Sequence, residues 1–151
     1  MTEDEQKQAA AAKAVTFIKD GMVVGLGTGS TAAKMVDLVG EKVAAGLRIT
    51  GVPTSEATAA QARNLGIPVV GLDKVSIIDL TIDGTDEVDP KGRLIKGGGG
   101  AHLREKIVAS LSDKMIVIAE AKKKVDQLGA FKLPVEVVQF VAPALKPKLE
   151  A

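Results

Sequence analysis

The sequence predicts an α/β protein with a Rossmann-like, mainly parallel sheet that carries helices on both faces. Short apolar runs alternate along the chain with longer segments of helical periodicity, which is the order of elements in such sheets. Only 2% of the 151 residues are aromatic, so the core must consist of Val, Ile, Leu and Ala. In a sheet of this class, ligands bind outside the carboxyl ends of the strands.

Three predicted helices and three predicted strands make up the first half of the chain. Thr2 and Glu5 form a Thr-x-x-Glu capping box, which starts a helix that reaches about Ile18. Ser55 is placed to cap a later helix, and Gly66 follows the end of that helix. The other segments are, in order, a strand at 22–27, a helix at 30–45, a strand at 48–53, the capped helix at 56–65 and a short strand at 67–72.

The second half is predicted to complete the sheet and to begin a further domain. Its segments are, in order, a strand at 77–88, a helix at 101–111, a strand at 114–121 and a strand at 135–141. Pro143 and Pro147 interrupt what could be a final helix. We therefore expect a Rossmann-like catalytic domain at 1–130 and the beginning of a smaller α/β domain at 131–151.

Composition excludes several classes of function. The chain has 46% hydrophobic and 26% charged residues, as soluble globular proteins do, and a net charge of +1 gives no field that would recruit nucleic acid or membrane. It has no cysteine and one histidine, so a disulfide scaffold, a thiol nucleophile and a Cys- or His-based metal cluster are excluded. No apolar stretch is long enough for a signal or a membrane span. We expect a cytoplasmic protein that needs no metal and no cofactor.

A glycine-rich loop, GLGTGSTA at 25–32, joins a predicted strand to a predicted helix. Glycines let a backbone approach an anion, and the free N–H groups and dipole of a helix N-terminus attract negative charge. The dinucleotide-binding pattern would need glycine where Ser30 stands, and the Gly-Lys-Ser/Thr pattern of P-loops is absent. The loop is therefore predicted to bind a small phosphate group; a glycine-tolerant turn with an N-cap is the alternative.

Charged residues and glycines also follow other predicted strands. Asp83, Asp86 and Glu87 bring three carboxylates to one strand end, where they are either paired or solvated in an exposed acidic turn. Lys96 precedes four glycines at 97–100. Such a run costs conformational entropy on folding, so it indicates that something must come very close to bare backbone.

The helix after these glycines is expected to bury an apolar face, which consists of Leu103, Ile107, Val108 and Leu111. On this helical wheel Glu105 lies well off the buried face. Arg104 lies within it and would need a carboxylate partner, for which Asp86 and Glu87 are the candidates. His102, near the helix start, is interpreted as a surface or capping residue. Three lysines at 122–124 are typical of a solvated turn, from which one could point inward.

Together these motifs resemble a known enzyme family, ribose-5-phosphate isomerase, type A. The resemblance is carried, in this order, by GLGTGSTA, DGTDEVD, IKGGGGAHLREKI, IAEAKKKVDQLG and LPVEV. It implies an aldose–ketose isomerase of the pentose phosphate pathway that interconverts ribose 5-phosphate and ribulose 5-phosphate through an enediol, without a metal. Such a reaction needs a base, a group that stabilises the enediolate, and a grip on the distant phosphate.

The resemblance also implies which residues do this. Glu105 would be the general base, and Asp83, Asp86 and Lys96 would be catalytic groups that handle the sugar hydroxyls, ring opening and the oxyanion. The substrate-binding residues would be Thr28, Gly29, Ser30, Thr31, Asp83, Gly84, Thr85, Asp86, Lys96, Gly97, Gly98, Gly99 and Lys123. A small phosphosugar and a second copy of the chain, most simply in a dimer, are the expected partners.

Two other functions are considered. A phosphosugar-sensing domain of a regulator would keep the phosphate loop but would need no base, and a related sugar-phosphate deaminase or coenzyme A transferase-like enzyme would not need the Arg-Glu-Lys helix. The combination of Glu105, Lys96, Asp83 and Asp86 favours the isomerase. Type A isomerases continue beyond the point where this sequence stops. We therefore expect a polypeptide of these 151 residues to be marginally stable, self-associating and weakly active.

Overall fold

A computed structural model describes all residues from 1 to 151. The helices are α1 (Glu3–Val15), α2 (Ser30–Ala44), α3 (Glu56–Asn64), α4 (His102–Ser110) and α5 (Ala142–Glu150). The strands are β1 (Val23–Leu26), β2 (Thr50–Pro53), β3 (Leu80–Gly84), β4 (Glu87–Val88), β5 (Leu94–Ile95) and β6 (Met115–Ile118). Short 3-10 turns occupy Leu72–Lys74, Ala121–Lys123 and Gln139–Val141.

Four strands form one parallel sheet in the order β2-β1-β3-β6, and β4 and β5 form a small antiparallel hairpin beside it. From β1 the chain passes through α2 to β2, which is one edge of the sheet. From β3 it passes through α4 to β6, which is the opposite edge. The two crossovers therefore diverge between β1 and β3. At such a divergence the carboxyl ends of the strands leave a crevice, which is where ligands bind in open α/β sheets.

Helices cover both faces of the sheet, as predicted, but unequally. On one face α1, α2 and α3 pack on the strands in a large apolar core, formed by Ala11, Ala14, Val15, Ile18, Val24, Leu26, Met35, Val36, Val39, Ile49, Ala62, Ile67, Leu80, Ile82 and Ile118. On the other face α4 contributes Val108 to a small cluster with Val52 and Ile78. None of the helices combines the length and the apolar character that a membrane crossing requires.

Two predicted strands in the middle of the chain differ from the structure. The segment 67–72 forms no strand: Val69 makes a single bridge to Gly51, and a 3-10 turn begins at Leu72. Pro68 precedes the bridge and has no N–H with which to extend a ladder. The segment 77–88 is divided into β3 and β4, because the Thr85 hydroxyl donates to the carbonyls of Glu87 and Ile95 and turns the chain into the hairpin.

The prediction of a strand at 135–141 is wrong. This stretch is irregular up to the 3-10 turn Gln139–Val141, and α5 then forms in spite of both prolines. Pro143 lies in the first turn of α5, where its missing N–H has no helical partner to lose, and Pro147 lies inside the helix. None of residues 131–151 is buried, so β-branched side chains meet no neighbouring strand or core that would favour an extended pairing.

Candidate active site

A polar cleft with a cavity volume of about 140 Å³ opens at the carboxyl ends of β1 and β3. Every residue of the predicted site except Asp83 lines it, and Asp83 is buried. Ala101, which the sequence did not indicate, is the only hydrophobic residue of the lining. The cleft is thus lined by backbone, hydroxyl, carboxylate and ammonium groups, which suits a small and highly polar ligand.

The loop after β1 forms one end of this cleft. Gly29 has a φ of 111°, a conformation that favours glycine, and α2 begins at Ser30 with no side chain capping its first turn. The N–H groups of the first turn therefore have no acceptor within the helix, and the helix dipole adds positive potential. This is the geometry of an anion site, and it faces the same cleft as the charged residues.

Asp83, at the end of β3, lies directly under this loop. A Cβ on Gly27 would overlap the Asp83 side chain, so glycine is required there. The Asp83 Oδ1 atom accepts hydrogen bonds from the amides of Thr28, at 3.1 Å, and Gly84, at 2.7 Å. Its Oδ2 atom lies 3.0 Å from Lys96 Nζ but receives no directed hydrogen bond. Burial raises the pKa of Asp83 to about 6; the Lys96 ammonium opposes this shift and the Glu105 carboxylate adds to it.

Lys96 connects two buried carboxylates. Its Nζ atom donates to Glu105 Oε1 at 3.0 Å and to the carbonyl of Gly84, and lies 3.0 Å from Asp83 Oδ2. The lysine side chain is 15% exposed, and those of Asp83 and Glu105 are 1% and 6% exposed. Two of the three ammonium hydrogens thus have directed protein acceptors, and the contact with Asp83 Oδ2 is an ion pair without a directed hydrogen bond. The result is an acid–base cluster of one ammonium and two carboxylates at the floor of the cleft.

The orientation of α4 corrects the prediction from the helical wheel. Glu105 and Val108 are buried, whereas Leu103, Ile107 and Leu111 are 58%, 38% and 37% exposed. Glu105 turns inward because Lys96 neutralises it, and Val108 is close to the sheet because Gly25 has no side chain beneath it. The prediction for Arg104 is also wrong: it is exposed, and it pairs with Glu56 at 2.9 Å rather than with Asp86 or Glu87.

The four glycines at 97–100 are needed for different structural reasons. Gly97 and Gly100 have φ values of 84° and 93°, and a Cβ on Gly97 would overlap His102. A Cβ on Gly98 would press on Asp86, whose Oδ2 accepts the Gly98 amide at 2.8 Å. Gly99 has neither constraint, since a Cβ there would meet nothing within 4 Å. Gly99 lines the cleft, so its bare backbone keeps space for a ligand.

The three lysines at 122–124 point in different directions. Lys123 lines the cleft. Lys122 is drawn away from it by Glu3 at 2.6 Å, a contact that, with Lys7, lowers the pKa of Glu3 to about 2. His102 is exposed, in agreement with its interpretation as a surface residue; it does not line this cleft, but it lines a neighbouring pocket together with Lys96 and Glu105.

Sequence reasoning missed a group of hydroxyls behind the phosphate loop. Thr54, Ser55 and Thr58, at the end of β2 and the start of α3, surround the Thr28 hydroxyl at 2.7, 2.9 and 3.3 Å. The order of strands could have indicated them, because β2 is parallel to β1 and its carboxyl end must lie beside the loop. Only the capping role of Ser55 was recognisable from its spacing.

The sheet and its cleft define an α/β protein with a candidate small-molecule site, in which an anion-binding loop lies directly over an acid–base cluster. A sequence profile of the family ribose 5-phosphate isomerase A (phosphoriboisomerase A) matches residues 50–151. The chain belongs to the ribose 5-phosphate isomerase A family.

Individual relatives agree with this assignment. Ribose-5-phosphate isomerase A of Parvibaculum lavamentivorans is 61% identical over 140 residues, which are 93% of this chain and 61% of the relative. A solved D-ribose-5-phosphate isomerase in complex with phospho-erythronic acid superposes with a TM-score of 0.95 at 42% identity, over 99% of this chain and 67% of the other. The enzyme of Methanocaldococcus jannaschii gives a TM-score of 0.94 at 38% identity, with the same coverage.

Proposed function

We propose that this cleft interconverts D-ribose 5-phosphate and D-ribulose 5-phosphate. The observation that carries the proposal is the Glu105 carboxylate held by Lys96 at 3.0 Å on the floor of a polar cleft whose rim is the anion loop. The names of the relatives indicate the reaction, and the site contains the groups that it needs: a base, donors for an oxyanion, and an anion loop that lines the same cleft.

The proposed reaction moves one proton between adjacent carbons. Glu105 takes the proton from C2 of the open-chain aldose, and the electron pair of the broken C–H bond forms the enediolate double bond while O1 becomes negative. The positive potential of Lys96 and the glycine amides stabilises this charge. The proton returns from Glu105 to C1, and the hydrogen on O2 passes to O1, which leaves a ketone at C2. Asp83 and Asp86 are proposed to handle the sugar hydroxyls and ring opening, and Lys123 to contact the substrate.

The phosphate would hold the substrate at the Gly29–Thr31 end of the cleft. Binding energy from this non-reacting group can orient the reacting carbons over Glu105. The alternatives explain the site less well, since a sensing domain would gain nothing from burying two carboxylates around one lysine.

The chain spans about three fifths of the length of the curated relatives that it matches; for three of them the share is 61%, 62% and 65%. Its own activity must therefore be measured. Purified chain is incubated with ribose 5-phosphate in D₂O with a metal chelator present. We expect ribulose 5-phosphate with solvent deuterium at C1, because the base exchanges its proton, and no effect of the chelator. Binding of the phosphosugar without any turnover would favour the sensing domain instead.

We also propose that the chain forms a homodimer. Support comes from the outward face of α4, where Leu103, Ile107 and Leu111 expose apolar surface next to a partly apolar groove of about 310 Å³ that includes Ile107 and Leu72. A cytoplasmic location stays a prediction from the sequence.

A further inference from the structure

Four hydroxyl side chains meet behind the phosphate loop, and we call Thr28, Thr54, Ser55 and Thr58 the hydroxyl cluster. Thr54 and Thr58 are buried at 0% and 5% exposure. The cluster joins three elements, since Thr28 follows β1, Thr54 follows β2, and Ser55 and Thr58 lie at the start of α3. Helix capping explains one of its contacts, the Thr58 amide that donates to Ser55 Oγ at 3.1 Å, but none of the others.

The hydrogens of this cluster can be assigned one by one. Thr54 donates to the carbonyl of Leu26 and Thr58 to the carbonyl of Gly27, both at 2.9 Å. Ser55 donates to Thr58 at 3.0 Å, and the single Thr28 hydrogen is shared between Thr54 at 2.7 Å and Ser55 at 2.9 Å. A hydroxyl has one hydrogen, so all four are used within the protein.

Thr28 consequently has no donor left for a ligand. Its hydroxyl hydrogen goes to Thr54 or Ser55 and its amide hydrogen to Asp83. Donors that remain free for a ligand include the amides of Ser30 and Thr31, which have no helical acceptor, the amide of the N-cap Gly29 and the Ser30 hydroxyl. Thr28 lines the cleft and stays a predicted substrate-binding residue, but its two hydrogens serve contacts within the protein.

We propose that Thr54, Ser55 and Thr58 are positioning residues for the phosphate site, which act through Thr28 and through the carbonyls of Leu26 and Gly27. They hold the carbonyls of Leu26 and Gly27 and the hydroxyl of Thr28, and so fix the backbone that leads into Gly29. The free amides that follow are thereby oriented toward the phosphate. The inference rests on the proposed function only in taking a phosphate as the anion. It predicts that removing a hydroxyl of the cluster weakens the hold on phosphate rather than the chemistry.

The experiment uses the whole chain and inorganic phosphate as the probe, with affinity measured by titration calorimetry. Thr58→Val and Thr54→Val remove one hydroxyl each at nearly constant shape, and Thr58→Ser keeps the hydroxyl. Ser112→Ala is the control, because Ser112 belongs to a partly buried hydroxyl pair with Thr81, at 2.7 Å, near the opposite ends of the strands. Loss of one such hydrogen bond corresponds to roughly a tenfold weaker phosphate affinity.

We expect this roughly tenfold loss of phosphate affinity in both Val variants and normal affinity in Thr58→Ser and Ser112→Ala. In the isomerase assay the Val variants should show a raised KM for ribose 5-phosphate, with kcat within about twofold of the wild type. Normal phosphate affinity in both Val variants, or an equal loss in Thr58→Ser and Thr58→Val, would overturn the inference, as would a wild-type chain that binds no phosphate. A wild-type chain that binds phosphate but has no turnover would refute the proposed isomerase alone, since the phosphate titrations still test the positioning role.

Discussion

Lys96 is the residue on which the chemistry of the site depends. It lies between Asp83 and Glu105, which come from different elements, and its ammonium makes their joint burial tolerable. A proton bound by this cluster belongs to the group as a whole rather than to one side chain. Because Glu105 and the Gly84 carbonyl hold two Lys96 hydrogens and the third makes no directed hydrogen bond, Lys96 can stabilise an enediolate by its charge or through that third hydrogen.

Replacement of Glu105 by Gln tests the base. Gln keeps the shape of Glu and can still accept a hydrogen bond from Lys96, but it cannot take a proton from carbon. We expect kcat to fall by about 10²–10⁴-fold with little change in KM or phosphate affinity. Glu41→Gln, the same change on an exposed position in the last part of α2, should have no effect. Near-normal turnover of the Glu105→Gln enzyme would assign the base to another group.

The raised pKa of Asp83 predicts a particular pH dependence of stability. Between the ordinary value of 3.8 and about 6 the folded chain holds a proton that the unfolded chain has released, so this residue's contribution to stability falls as pH rises through that range and is constant above it. Asp83→Asn removes the penalty. The melting temperature of the variant minus that of the wild type should increase from pH 4 to 6 and stay constant at higher pH. The exposed Asp113→Asn should show no such increase. A constant difference across this range would contradict the raised pKa.

At the scale of elements, the distance between α4 and the sheet determines where Glu105 lies. A Cβ on Gly25 would overlap the Thr81 hydroxyl and lie 2.9 Å from Val108 Cγ1. Gly25→Ala should therefore push α4 outward, reduce the free energy of unfolding by about 1–3 kcal/mol and lower kcat as Glu105 moves.

Gly99→Ala is the matched change, because its methyl group enters open space within the cleft. Here we expect an unchanged melting temperature and a raised KM for the phosphosugar. Melting curves and steady-state kinetics on both variants separate the two effects. If Gly99→Ala bound substrate normally, the ligand would not lie against this part of the backbone.

The prediction of helices, strands and site residues succeeded where short local sequence patterns determine the structure. The loop after β1 and the carboxylate Asp83 near the end of β3 lie at carboxyl ends of adjacent parallel strands, which the parallel sheet brings to one edge. Lys96 instead follows β5 of the antiparallel hairpin, so this rule alone does not place it. The rotation of α4 could not be predicted in this way, because a helical wheel uses only the positions of apolar residues along the helix. It contains no information on tertiary contacts, such as the ion pair of Glu105 with Lys96 or the exposure of Leu103. The strand at 135–141 failed for a related reason: β-branched residues favour a strand only where another strand or core receives them.

At the scale of the whole molecule, apolar surface is unevenly distributed. One face of the sheet is covered by three helices and the other mainly by α4, whose outward side exposes Leu103 and Ile107. Residues 131–151 contain no buried residue, and within them Phe140 and Val138 are 96% and 73% exposed. A domain division near residue 130 stays a prediction, which this lack of burial supports. Two separate surfaces are thus available for self-association.

The proposed dimer can be assigned to one of these two surfaces. If the α4 face forms it, Leu103→Lys combined with Ile107→Lys should convert the chain to a 15.6 kDa monomer in light scattering, because charges are poorly tolerated at the centre of an interface. Both side chains are exposed, so the melting temperature of a monomeric chain should hardly change. Val138→Lys combined with Phe140→Lys is the matched control on the other surface, and we expect it to leave the dimer intact. Dissociation by the control pair alone would place the contact on residues 131–151, and a wild type that is already monomeric at high concentration would refute the dimer.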